Sequence, residues 1–267
     1  MVKIDIDTQQ EKYSFEDLLR IMQILRSPGG CPWDIEQTHK SIRNDTLEEA
    51  YEVCDAIDLD NPAMICEELG DMLLQVVFHS NIAAGYGTFD ISDVITGISK
   101  KLILRHPHVF GSVKADTPEQ VLDNWDKIKM QEKSQETFTD TLSSVPMAFP
   151  ALLRAQKVQK RAAKAGYDFK DVSDAVLKLR EETDEVVQAL KSADAQNIED
   201  EIGDLLFSAV NVARKSSVNS EHALTGAVNK FIKRFSLAEQ MANENGVSLS
   251  NLSEAELDEL WQKAKQI

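Results

Sequence analysis

LEEAYEVCDAIDLDNPAMICEELGDMLL at residues 47–74 lies over REETDEVVQALKSADAQNIEDEIGDLLF at residues 180–207 without a gap. The offset is 133 at every position, so the chain carries an internal duplication. Glu48, Glu49 and Glu52 fall on Glu181, Glu182 and Glu185, while Glu68, Gly70 and Asp71 fall on Glu201, Gly203 and Asp204. In the first copy Leu47, Ala50, Tyr51, Cys54 and Ile57 recur at helical spacing. Asn61 and Pro62 then mark a second start, with proline in the first turn. Each copy therefore reads as two helices joined by a short turn, lying antiparallel.

Glu49 and Glu52 are three apart on one helix, and Glu68 and Asp71 are three apart on the next. That spacing gives each pair a shared face. Four carboxylates converge between the helices, and Glu182, Glu185, Glu201 and Asp204 repeat the arrangement. Like charges pressed together destabilise a fold unless something neutralises them. Oxygen-only ligands suit a hard cation such as Mg2+. A single EExxE run is common on solvated helix faces, but the ExxD partner and the repetition separate this pattern from that reading. Gly70 and Gly203 sit mid-helix, where glycine costs about 1 kcal/mol relative to alanine. A close helix crossing or tight access to the site would offset that cost; simple helix packing is the other reading.

Outward from the repeat the pattern stays helical. Ser14 opens a helix with Asp17 three residues on, a short capping box, and SPGG at 27–30 stops it. CPWDIEQTHKSI at 31–42 has no clean period and reads as an ordered loop. Helices follow from about 42 to 58, from 62 toward 84, from 91 to 104 and from 118 to 133. SQETFTDTLSSVP at 134–146 is weak and marks the boundary. Beyond it come helices near 149–164, 171–191, 197–215 and 219–243, then a short one from Ser253 carrying Trp261. The expected architecture is all-α, two duplicated helical-bundle domains at 14–133 and 148–267, after a loose extension over 1–13. The stripes flanking each acidic face leave apolar surface for a partner, so a homodimer is expected.

Apolar residues make up 42% and charged residues 28%, which describes a folded, water-soluble chain. The net charge of −16 repels a phosphate backbone, so stable nucleic-acid binding is not expected. A nucleotide differs, because one bound divalent cation reverses the local sign. No window reaches the apolar length of a membrane span, and the N-terminus has no apolar core of signal-peptide length. Cys31, Cys54 and Cys66 form no CxxC, so free thiols and a cytoplasmic location are expected.

Cations should complete the sites. Lys101 and Arg105 lie one turn apart after the first acidic pair of helices, and Lys230 and Arg234 lie similarly after the second. Lys157 and Arg161 precede the second repeat. Ammonium and guanidinium groups at these places would hold phosphates that the metal leaves uncovered. The second half has basic pairs on both sides of its acidic helices, whereas the first offers CPWDIEQTHK before them. The second domain is therefore expected to supply most of the chemistry. Trp261 is a candidate to cover a base, with core packing as the alternative. His106 and His108 flank a proline and read as a structural loop, while His39, His79 and His222 read as isolated. No glycine-rich phosphate loop is present.

With EEAYE and ELGD at 48–52 and 68–71, and EETDE and EIGD at 181–185 and 201–204, the chain resembles the MazG family of nucleoside triphosphate pyrophosphohydrolases in its two-domain form. CPWDIEQTH at 31–39, RHPHVF at 105–110, RAQKVQKRAAKAGYDF at 154–169 and GDLLFSAVNVAR at 203–214 carry the likeness over roughly residues 14–265. The resemblance implies an all-helical dimer that hydrolyses ribo- and deoxyribonucleoside triphosphates to monophosphate and pyrophosphate with magnesium. It implies Glu182, Glu185, Glu201 and Asp204 as metal ligands and Glu181 as an extra acid beside them; Glu49, Glu52, Glu68 and Asp71 are the first-domain counterparts. The chemistry expected is in-line attack by metal-activated water, oriented or deprotonated by Glu182 or Glu181. A narrower pyrophosphohydrolase for deoxyuridine triphosphate or phosphoribosyl-ATP is one alternative. A non-enzymatic acidic interaction protein is the other.

Overall fold

The computed structural model describes residues 6–132, 137–192 and 194–266. The chain divides into two compact units, residues 1–129 and 130–267. Among the described residues every regular element is helical.

In the first unit α1 (Phe15–Arg26) starts at the Ser14–Asp17 capping box that the sequence predicts. Of the expected loose extension, residues 1–5 lie outside the described residues; Ile6 and Tyr13 line a cleft with Ile21, Ile24 and Leu25 of α1. The expected loop at 31–42 contains a short helix, α2 (Pro32–Glu36), with proline in its first turn. Next come α3 (Arg43–Asp58) and α4 (Pro62–Gly85), the acidic pair. Asn61 caps α4 by accepting from the backbone of Ala63 and Met64. Then follow α5 (Ile91–Arg105), α6 (Pro107–Phe110) and α7 (Pro118–Glu132). Residue 133, the expected end of α7, lies outside the described residues. Met22, Ile42, Val77, Phe78 and Ile82 form the core, joining α1 to the acidic pair.

Arg26 fastens this unit from its side. Its guanidinium donates to Asn81 Oδ1 at 2.9 Å and to the Asp34 carbonyl, and it lies over the Phe78 ring at 5.2 Å. One side chain thus holds α1, α2 and α4 together.

In the second unit the segment at 134–146 is more than a boundary. Residues 134–136 lie outside the described residues, but α8 (Phe138–Ser143) follows with its own capping box at Thr137 and Asp140. It packs on α9 (Ala151–Lys164), where Arg161 donates to the Thr141 carbonyl and to Ser144 Oγ at 2.8 Å. The acidic pair is α10 (Val172–Ser192) and α11 (Ala195–Lys215), the latter capped by Asp194 as α4 is by Asn61. α12 (Ser220–Glu244), a 3₁₀ turn (Leu249–Asn251) and α13 (Glu254–Ala264) complete the unit. The duplication holds at the level of packing: Ile42 and Ala175, Ala56 and Ala189, and Val77 and Val210 are all buried, each pair 133 apart.

Candidate metal centres

The register of each acidic pair brings its carboxylates together. α3 packs along α4, and α10 along α11. One carboxylate oxygen each from Glu49, Glu68 and Asp71 lie within 4.8 Å of one another. The same holds for Glu182, Glu201 and Asp204. The fourth acid of each set stands just beside this trio. Glu52 contributes repulsion to both Glu49 and Glu68. Glu185 lies near Glu182, with the Lys178 ammonium 4.0 Å from its Oε2. Glu181 is exposed, whereas Glu182 is buried.

Crowding shows in the protonation of the first cluster. Burial, then the charges of Asp71, Glu52, Glu68 and Glu48, push the Glu49 carboxyl above its ordinary range. Burial, then Glu52, Glu67 and Asp71, do the same to Glu68. Such a cluster gains by taking up positive charge. Its donors are all carboxylate oxygens, the set a hard divalent cation prefers. In the second cluster, hydrogen bonding to Glu182, then burial, raises Glu185, and Lys178 pulls it the other way.

Lys178 is the residue that sequence reading missed. Its ammonium lies 2.8 Å from Glu181 Oε1, 2.8 Å from Glu182 Oε1 and 4.0 Å from Glu185 Oε2. Hydrogen bonds to Glu181 and Glu182 hold it well above the ordinary lysine range. A signal was available: Lys178 stands four residues before Glu182, where a lysine and a glutamate meet on one helix face.

The other predicted cations have varied surroundings. Arg161 is engaged with α8, and Lys157 lies over Phe149 at 5.4 Å. Arg105 is buried with its guanidinium 5.2 Å from the Trp125 ring centre. Lys101 and Lys230 are exposed, and Arg234 is half-buried. Trp261 packs against Phe231, ring centres 5.2 Å apart. Gly70 and Gly203 meet nothing: a Cβ added at either would have open space within 4 Å. A close helix crossing inside the chain is therefore not what those glycines serve.

The first unit carries a polar extension that the second lacks. His39 and His79, expected to be isolated, meet with their Nδ1 atoms 2.8 Å apart. Their ring planes differ by 10° and the ring centres lie 5.1 Å apart. That separation is what an N–H···N bond in the shared plane of two rings requires, so one imidazole donates to the other. His79 Nε2 lies 3.1 Å from Thr46 Oγ1, itself 3.5 Å from Gln75 Oε1. Asp71, Gln75 and His79 follow one another at four-residue steps along α4, so this polar line runs up to the acidic cluster. The positions 133 later are Val172, Leu179, Ser208 and Val212 in place of His39, Thr46, Gln75 and His79. The folding back of residues 37–42, which sequence spacing does not encode, brings the two histidines together.

Comparison with known proteins agrees with the duplication. The MazG nucleotide pyrophosphohydrolase domain matches twice, at residues 37–110 and 170–236. The chain is 44% identical over 251 residues to the nucleoside triphosphate pyrophosphohydrolase/pyrophosphatase MazG of Thermotoga maritima, covering 94% of this chain and 95% of that one. It is 43% identical over 252 residues to the nucleoside triphosphate pyrophosphohydrolase of Escherichia coli K12, covering 93% and 96%. An uncharacterised protein of Bacillus subtilis, YabN, is 45% identical over 255 residues, which span 95% of this chain but 52% of YabN.

Proposed function

The chain belongs to the MazG nucleotide pyrophosphohydrolase family, and from that premise we propose that it hydrolyses nucleoside triphosphates to monophosphate and pyrophosphate with magnesium. The observation that carries the reading is the convergence of Glu182, Glu201 and Asp204 within 4.8 Å, repeated by Glu49, Glu68 and Asp71. Glu182, Glu201 and Asp204, with Glu185 beside them, hold the cation in the second unit; Glu49, Glu68, Asp71 and Glu52 do so in the first. When bound, magnesium offsets phosphate charge and acidifies water.

The chain's own residues then have distinct tasks. Glu182 is buried and fixed against its neighbours, which suits a ligand. Glu181 is its exposed neighbour, paired with Lys178, and is the acid assigned to orient water or accept its proton. Lys230 and Arg234, on the helix after the acidic pair, are placed to meet phosphates, and Lys101 and Arg105 occupy the corresponding stretch of the first unit. Lys157 and Arg161 support the site from α9, Arg161 through its hold on α8. Trp261, seated on Phe231, offers a ring face to a base.

A homodimer in the cytoplasm completes the reading. Large apolar side chains stand open on the acidic helices and on α12, among them Leu190 at 59%, Leu206 at 52% and Phe231 at 56% exposure. Apolar surface of that extent favours a second copy. The three free cysteines suit a reducing compartment, and among the described residues no helix is long and apolar enough to cross a membrane.

Product analysis on a panel of ribo- and deoxyribonucleoside triphosphates with magnesium tests the reaction. Equal monophosphate and pyrophosphate are expected. Diphosphate and free phosphate would reject it, and turnover of a single base would replace it with a narrow pyrophosphohydrolase.

A further inference from the structure

The two units differ at the position four residues before Glu182 and Glu49. In the second unit Lys178 puts an ammonium 2.8 Å from Glu182, one of the converging acids, and 2.8 Å from its neighbour Glu181. The residue 133 earlier, on the same helix face of the first unit, is Asp45. Asp45 stands four residues before Glu49, as Lys178 stands four before Glu182, so it adds negative charge where the second unit adds positive. Resting on the reading of both clusters as divalent-cation sites, we propose that Lys178 is a built-in counter-cation. It makes the second site bind divalent cations more weakly than the first when no nucleotide is present.

The physical argument is an exchange. Glu182, one of the acids a metal would need, accepts from Lys178 Nζ through Oε1. Glu182 is buried, so its charge is poorly served by water and its hold on the ammonium is correspondingly strong. A cation entering this site must displace the ammonium, and two positive charges at that spacing repel each other. The first site faces the opposite situation. Glu49, Glu68 and Asp71 converge within 4.8 Å, and Asp45 stands in the sequence where the second unit has its lysine. The units therefore load in order as cation concentration rises, the first before the second.

Titration of the full chain with Mn2+, without nucleotide, reads this directly through the loss of the free-ion electron paramagnetic resonance signal. Two classes of site are expected in the wild type. Glu68→Gln should remove the tight class, and Glu201→Gln the weak one. Lys178→Met keeps most of the apolar stem and removes the charge. It should tighten the weak class by roughly tenfold or more. Asp45→Lys should weaken the tight class, and it keeps the test alive if Lys178→Met folds poorly by circular dichroism. A single class in the wild type, a weak class lost with Glu68→Gln, or no tightening in a folded Lys178→Met would overturn the proposal. No Mn2+ uptake by the wild type would instead remove the metal reading beneath it, and this inference with it.

Discussion

The two units share a carboxylate frame and differ in what surrounds it. Glu49, Glu68 and Asp71 converge as Glu182, Glu201 and Asp204 do. Around the first trio stand Asp45, Thr46, Gln75 and the His39–His79 pair; around the second stand Lys178, Leu179, Ser208 and Val212. The frame is fixed by helix register, which needs only spacing and a short turn. The surroundings are set by single side chains that a duplicated helix is free to change without moving its backbone. One duplication can thus keep two carboxylate clusters and give each a different setting.

The largest expected effect separates those settings. In the full chain, Glu201→Gln should lower triphosphate turnover by orders of magnitude, while Glu68→Gln should leave most of it. Each variant keeps its volume and loses a carboxylate charge, so circular dichroism and mass in solution should match the wild type. Loss with Glu68→Gln and retention with Glu201→Gln would reverse the assignment. Loss of about half in each would mean that both units work.

Magnesium itself should come next in size. On the proposed reading the clustered carboxylates bind the cation in the folded chain alone, so millimolar magnesium should raise the melting temperature over a chelator. A Kd exceeded a hundredfold contributes about 2.7 kcal/mol, and at roughly 2–4 °C per kcal/mol the shift is about 5 °C or more. Calorimetry on Glu68→Gln and Glu201→Gln would apportion it between the units. An unchanged melting curve would remove the cation from both sites.

The frame was legible in the sequence because it is local. Three-residue spacings, the Asn61 and Asp194 caps and the apolar stripes are all read within one or two helices, and α3, α4, α10 and α11 stand where the periodicity places them. α2, α6 and α8 were missed because helices of four to six residues are too short to show a period. The ends of the units were harder to read, since α8 belongs with α9 through Arg161, a long-range hydrogen bond. Lys178 is hidden for another reason: it lies within the acidic helix α10 itself and not on the elements that flank it. The histidine pair needs a loop's path to be known.

That pair gives a pH test confined to the first unit. Burial, then the neighbouring His39, lowers the pKa of His79 below its ordinary 6.5. The groups facing it are His39 from the loop before α3, Thr46 from α3 and Gln75 from α4. A depressed folded-state value means that the unfolded chain takes up the proton first. The contribution to stability is full above about pH 6.5 and is lost as pH falls through the folded value. The first unit's unfolding free energy is expected to fall on going from pH 7.5 to 5.5. His79→Val, which installs the residue of the second unit, should flatten the pH dependence. An equally steep profile in that variant would place the titration elsewhere.

The smallest effect concerns the two glycines. Gly70 and Gly203 lie between the acids of α4 and α11, and an added Cβ would touch nothing among the described residues. Alanine should therefore stabilise either helix by about 1 kcal/mol, since glycine's only evident consequence within the chain is lost helix propensity. Each melting transition should rise by roughly 2–4 °C. What a methyl group would disturb lies outside the chain's own atoms: a nucleotide or a second copy approaching the backbone. If the second unit is the hydrolytic one, Gly203→Ala should raise KM or reduce turnover while raising the melting temperature. Gly70→Ala should raise the melting temperature and leave turnover as it was. A Gly203→Ala protein that is more stable and fully active would show that this glycine is tolerated and not required. Both units would then keep it for the same lack of a penalty, and the difference between them would rest on Lys178 and its neighbours.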